Sequence, residues 1–525
     1  MQAYKMRRYW FYFGIILIII GLSFSRAFVS FGQAALALTF LVDRNIIPKI
    51  KKLIKNKAFL ISISFYVFLW ITLTYTSNYK EGLFDLRTKI PLLLFPLVFA
   101  TEPPISFKIF KRFMLLFAVT VTTALTYSLT LYYIKDIGDF RDAFRFVSHI
   151  RMSLEALIAI SFFLYLTFDE DSNFTLLVRL VFVILSIYII WAMISLELLT
   201  GVLIAFIIGL LFLIKLLLES NKGKIVWAFV ILVSLFLASS FVYISSIVNS
   251  YSNVEKVDLQ KLEEYSPLGN KYTHKPTKYQ IENGNYIGLY IQWDEMKAIW
   301  NQRSEFDFEG KDKRGQTLRY TLLRYLNSKH LRKDAAGTNS LTDEDIANVE
   351  KGIANYEYTK RFSLKKRIYK LLWEWDYYKR GDVVSGHTIV QRLELWKNSM
   401  GVIKDNSIFG VGIGDIKEVT NKEFIKNNSS LAGSELKSHN EFISALVSSG
   451  FIGFLLLLFS ILFPPIYLKR FGFSLYFYFF AIMFFSMLWE DTLGTMVGVT
   501  LFAFFNAIFL FGIKDIPKNR ELSDI

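Results

Sequence analysis

The 525-residue chain contains no cysteine, which excludes disulfides, thiolate nucleophiles and cysteine-ligated metals. Histidine is scarce: His149, His274, His330, His387 and His439 are the whole supply of imidazole. There are only 10 Pro against 51 Phe and 28 Tyr, so long apolar runs stay compatible with helix. Charge is almost missing from the middle of those runs, whereas a transporter tends to line its path with ionisable groups. No repeat of fixed period and no low-complexity tract occurs.

The hydrophobic share is 53% and the mean hydropathy +0.36, values of a polytopic membrane protein and not of a soluble domain. The net charge of +15 does not point to nucleic acid. Lys and Arg cluster in short turns between apolar runs, where anionic lipid headgroups are their partners. About twelve runs are long enough, or nearly so, to cross ~30 Å of hydrocarbon. They begin near Trp10, Ala27, Ala58, Lys89, Phe113, Ile150, Leu177, Leu199, Ile225, Glu441, Phe473 and Met496. The first follows Lys5, Arg7 and Arg8 but lacks a small-residue cleavage site, so it reads as an uncleaved span.

Basic residues mark alternate turns: Arg44 to Lys57, Lys108 to Arg112, Lys222 and Lys224, Lys469 and Arg470, then Lys514, Lys518 and Arg520 in the tail. The positive-inside rule puts these turns and both termini in the cytoplasm, and only the acidic Asp169 to Asp171 turn dissents. The expected fold is therefore all-α: about 12 transmembrane helices with one large, mainly helical periplasmic loop domain. Residues 1–248 hold the first nine helices, 249–440 the loop domain, and 441–525 the last three helices and a cytoplasmic tail. Within the loop, Thr342 followed by Asp345 reads as a helix N-cap, and Arg361 to Tyr378 has mixed helical spacing.

Chemistry is sought among few residues. His274 and His330 lie in polar loop sequence without acidic or imidazole neighbours at ligand spacing and read as structural; His387, after Ser385 and Gly386, reads as part of a helix start. The acidic runs Asp343 to Asp345 and Asp169 to Asp171 read as a helix start and a turn, so no metal site is expected. His439, in Lys437-Ser438-His439-Asn440-Glu441, stands where the loop becomes the tenth span, a placement that suits either a functional imidazole or one merely solvated at the interface. Arg151, in His149-Ile150-Arg151-Met152-Ser153, opens the sixth span on the same side, where a snorkelling Arg is also common. Gln391 to Lys397 carries Arg392 and Trp396. It is followed by Phe409-Gly410-Val411-Gly412-Ile413-Gly414, whose glycines imply a tight turn back toward the membrane; no Walker lysine or βαβ pattern supports a nucleotide site.

In order and spacing, Arg392 with Trp396, the Phe409-Gly410-Val411-Gly412 turn, His439-Asn440-Glu441-Phe442 and Gly450-Phe451-Ile452-Gly453 resemble the signature of the O-antigen ligase and polymerase superfamily. The resemblance implies a metal-independent, cofactor-free glycosyltransferase on the periplasmic face of the bacterial inner membrane. Its donor would be an undecaprenyl-diphosphate-linked glycan and its acceptor lipid A-core. His439 would be the general base, Arg151 and Arg392 the diphosphate-binding cations, and Asn440, Gly412 and Trp396 supporting residues. An Arg fork suits a diphosphate leaving group, and a neutral imidazole suits a sugar hydroxyl. A neighbouring Arg is expected to lower the His439 pKa and keep it neutral.

One departure is clear. Many family members have a Ser-Arg-small motif near the middle of the chain, where this sequence reads Ser195-Leu196-Glu197-Leu198-Leu199-Thr200-Gly201. Arg151 is the candidate replacement for that Arg and Glu197 a candidate partner for Arg151. The alternatives are an O-antigen polymerase joining lipid-linked repeat units, which tends to carry two sizeable outer loops where 135–149 is short, and a lipid-linked-sugar transporter. The topology is directly testable because no native Cys interferes. A cysteine placed at Ser340 should be labelled by an impermeant maleimide in intact spheroplasts; labelling only after the inner face is opened would invert the assignment.

Overall fold

A computed structural model describes residues 2–135, 140–169, 172–219, 223–253, 257–258, 260–275, 281–360, 363–379 and 388–514. His387, Glu170, Asp171, Lys222, Lys518 and Arg520 lie outside them. The chain is mostly helical, with two minimal strand pairs among the described residues: Ile105–Ser106 runs parallel to Ile513–Lys514, and Ile281–Glu282 antiparallel to Asn285–Tyr286. It divides into two compact units, residues 1–221 with 392–525, and residues 222–391.

Every one of the twelve apolar runs falls within helix, but not every helix is a span by itself. Among the described residues seven are long and apolar enough to cross a membrane: Lys5–Phe24, Lys57–Tyr75, Phe107–Ile134, His149–Phe168, Leu176–Ser195, Val230–Ser252 and Glu441–Tyr467. Arg26–Leu41 and Ile46–Leu53 would make an eighth if the pair, bent by 101°, is one broken span. Leu199–Leu211, Ser474–Trp489 and Met496–Gly512 are shorter apolar helices. Pro91–Thr101 has 11 residues, roughly 16 Å of rise, and would need its neighbours to reach across. By length and composition this is a multi-pass membrane protein; a count of twelve requires the short helices to cross as well.

In the first unit the core is aromatic. Phe504 meets Phe95 and Phe99 edge to face at 5.5 and 5.7 Å, as Phe110 meets Phe509 at 5.2 Å. Lipid tails are as apolar as these rings, so complementary packing, not escape from water, is what joins such helices.

The second unit has its own core around the buried Trp300, Leu322, Tyr325, Leu326 and Val349. Glu282, fully buried, accepts two hydrogen bonds of 2.9 Å from Arg324, whose guanidinium lies 3.5 Å from the centre of the Trp373 ring. Thr342 and Asp345 form the expected cap reciprocally: the hydroxyl accepts the Asp345 N–H and the carboxylate accepts the Thr342 N–H. The expected basic and aromatic helix is present as Leu364–Lys379.

The Glu441–Tyr467 helix is broken at Gly450, where φ is +62° and ψ is −165°. In apolar surroundings each unpaired backbone group costs several kcal/mol, so the break needs partners. The glycine turn supplies them. Val411 and Gly412 donate their N–H groups to the Val447 and Ser448 carbonyls at 2.9 Å each, and Ser407 and Ile408 carbonyls accept from Phe451 and Ile452 at 2.8 and 3.3 Å. Neither glycine can carry a side chain: a Cβ on Gly450 would stand 2.2 Å from the Ile408 oxygen, and one on Gly410 2.5 Å from the Gly450 nitrogen. The turn is pinned from its other side as well. Asp415 accepts the N–H groups of Ser77 and Asn78 at 2.7 and 2.8 Å, Thr76 accepts that of Gly414 at 3.0 Å, and the Tyr75 hydroxyl donates to the Phe409 carbonyl at 2.6 Å. The two glycine motifs of the sequence are thus one structural device. Gly450→Ala should lower the thermal midpoint in detergent and cost about 2 kcal/mol or more through left-handed strain and collision; a variant as stable as the parent would remove the break from this role.

Candidate functional site

Three segments meet within the first unit: the start of Glu441–Tyr467, the residues just after Ser474–Trp489, and the part of the Thr388–Asp405 helix from Arg392 onward. The turn presenting His439 is held rigidly. Trp396 Nε1 donates to the Ser438 carbonyl at 2.9 Å, His439 donates its backbone N–H to Asp491 at 3.2 Å, and Asn440 Nδ2 donates to the Leu488 carbonyl at 2.9 Å. The Asn440 side-chain oxygen caps the helix, accepting from the N–H groups of Phe442 and Ile443 at 3.0 Å each. His439 itself takes φ +51°, a left-handed conformation unusual outside glycine, and these bonds over-determine it. Trp396 also packs against Trp489, ring centres 6.1 Å apart.

The centre of the cluster is Glu490, which is 4% exposed. One carboxylate oxygen accepts from Arg392 Nη2, and the other lies 3.6 Å from His439 Nδ1. Asp491 beside it accepts the Ser444 hydroxyl at 2.6 Å. Arg151, buried, reaches the same turn from the His149–Phe168 helix: Nη2 donates to the Asp491 carbonyl at 3.0 Å and Nε to the Thr495 hydroxyl at 3.1 Å. Its Nη1 has no hydrogen-bond partner among the described residues. Next to this cluster is a small cavity of about 20 Å³, lined in part by Asp85, Lys89, Lys437, Glu441, Ser444 and Asp491. Lys437 spans it to Asp85 at 2.6 Å.

The electrostatics reverse one expectation. The Glu490 carboxylate raises the His439 imidazole above its ordinary pKa; burial and Arg392 act the other way and lose. Burial alone would raise Glu490, but His439, Arg392 and Arg151 together hold it below the usual carboxylate value, so it is the anion of the group. An Arg neighbour was expected to keep His439 neutral; the Arg is there, but the acid between them decides the sign.

The structure therefore brings Arg392, Trp396, His439 and Asn440 into direct or one-residue-removed contact and has Arg151 hydrogen-bonded to Asp491 and Thr495 of the 490–495 turn. Gly412, with φ +93°, is not in that cluster; it acts through the helix break. Glu197, with φ +51°, occupies the turn after Leu176–Ser195, and the guanidinium bonds of Arg151 go to Asp491 and Thr495. His274 is structural as expected, its ring nitrogens facing the Glu263 carbonyl at 3.0 Å and the Tyr290 N–H at 3.2 Å. His330 likewise meets the Asn285 amide at 2.6 Å. No group of three or more His, Asp or Glu positioned to hold a metal occurs among the described residues. What the sequence reading passed over is Glu490 and Asp491. The signal was present, since an acid pair between two apolar runs is costly unless it has partners.

Residues 354–458 match a family model described as O-antigen ligase. This segment thus resembles an O-antigen ligase family domain over about a hundred residues of the chain. The match contains Arg392, Trp396, Gly412, His439 and Asn440, and stops short of Arg151, Glu490 and Asp491. No curated protein matches the sequence. The match supports a glycosyltransferase-type enzyme of O-antigen processing, and the apolar helices support a multi-pass membrane protein.

Proposed function

We propose that this protein transfers an undecaprenyl-diphosphate-linked glycan onto lipid A-core at the periplasmic face of the inner membrane. The observation that carries the reading is the meeting of a half-exposed imidazole with two arginines around one acidic turn, at the start of a membrane-length helix.

The chemistry follows from what each group can do. His439 Nδ1 faces Glu490, which leaves Nε2 as the nitrogen for an incoming sugar hydroxyl. As that oxygen bonds to the anomeric carbon, its proton passes to Nε2 and the bond from carbon to the diphosphate oxygen breaks. The electron pair leaves with the lipid diphosphate. Arg392 supplies a fork of donors to it, and Arg151, buried against the Asp491 carbonyl of the same turn, adds a second positive charge. The raised pKa of His439 suits a base that must hold the proton once it has taken it, and it sets the pH dependence. Only the neutral ring can act, so transfer should rise with pH through the raised imidazole pKa and be lost on the acid side. The short segment 135–149 favours a ligase over a polymerase with two large outer loops.

His439→Ala should insert normally and lose about 10²- to 10⁴-fold in transfer rate, measured with purified protein, lipid-diphosphate-linked glycan and lipid A-core. Parent-level transfer by that variant would end the assignment of His439 as base.

A further inference from the structure

Glu490 divides one carboxylate between the candidate base and a candidate cation. Arg392 holds the first oxygen in a direct hydrogen bond, while His439 Nδ1 stands 3.6 Å from the second, near enough for an ion pair and too far for a hydrogen bond of the usual ~2.7 to 3.2 Å. The carboxylate is therefore drawn toward the arginine at the expense of the imidazole. A diphosphate offers Arg392 more charge and two oxygens at fork spacing, so it competes with Glu490 for the same guanidinium.

Building on the transfer reaction above, we propose that Glu490 is a positioning residue that couples donor binding to the base: diphosphate takes over Arg392, and the freed carboxylate closes onto His439 Nδ1. The Nδ1–H then donates to Glu490, which fixes the tautomer that leaves the Nε2 lone pair for the acceptor hydroxyl. When the hydroxyl O–H bond breaks and the Nε2–H bond forms, the imidazolium is neutralised by a carboxylate no longer shared with Arg392. Other charges face this group from every side: Asp491 on the same turn, Arg151 from the His149–Phe168 helix, Lys437 and Glu441 flanking His439, and Asp85 and Lys89 across the cavity. Of the acids among them, Glu490 alone is paired with both an arginine and the imidazole.

The test compares the parent, Glu490→Gln and Glu490→Asp in detergent, with undecaprenyl diphosphate alone as the probe. The protonation midpoint of His439 is read by NMR of ¹⁵N-histidine-labelled protein, assigned by loss of the His439→Gln signal. In the parent the probe should shift the midpoint upward. In Glu490→Gln the midpoint should start lower and no longer respond, the probe should bind about 2- to 5-fold tighter because its competitor is gone, and transfer should fall about 10-fold or more. Glu490→Asp, which keeps the charge, should recover part of the response. An unchanged midpoint in Glu490→Gln, or weaker probe binding, would mean that Glu490 is only a structural partner of Arg392. If the midpoints behave as stated but even the parent transfers no glycan, the coupling stands and the proposed reaction falls.

Discussion

Two adjacent carboxylates at the end of an apolar helix are the constraint around which this site is arranged. Glu490 and Asp491 are flanked by membrane-type sequence on both sides, and burying such a pair unpartnered would cost far more than the fold could supply. Their partners come from three other places in the chain: Arg392 and His439 for Glu490, the His439 N–H and Ser444 hydroxyl for Asp491, and Arg151 on the Asp491 carbonyl. Meeting the needs of the acids thus gathers an imidazole and two arginines around one turn. Stability and chemistry share the same contacts, so substitutions here need a readout that separates the two, such as a pH profile or donor affinity.

A second constraint acts on the backbone. The Gly450 break would leave orphan amide groups, and the 407–412 segment pairs with them. This docks the glycine turn against the helix that begins just after His439, and Asp415 and Thr76 tie the turn to the end of the Lys57–Tyr75 span. Rigidity is thereby built in on both sides of His439, from the helix beneath it and from the Trp396 and Asn440 bonds around it.

Much of this was legible in the sequence because it is encoded locally. Apolar runs become helices, Thr342 with Asp345 becomes a cap, and the glycines of 409–414 announce a tight turn, though not that it docks against the break at Gly450. His439 and Arg392 stood out because few residues of a cysteine-free chain can do proton transfer or bind a diphosphate. Glu490 did not, since a carboxylate looks unhelpful beside a phosphate until its partners are known, and those lie 98 and 51 positions back along the chain. The sign of the His439 pKa shift was illegible for the same reason: an arginine and an acid press on the ring together, and only their distances decide. Helix count was limited differently, because hydropathy locates apolar mass but not whether helices as short as Pro91–Thr101 or Ser474–Trp489 cross or stop.

The central claim, transfer of a finished lipid-linked glycan, is tested most directly by the glycan pool of a strain lacking this gene. Loss of the transferase should leave full-length glycan attached to undecaprenyl diphosphate and lipid A-core bare, with both restored by the parent gene. Accumulation of single repeat units on the lipid carrier would contradict the account and make the protein a polymerase.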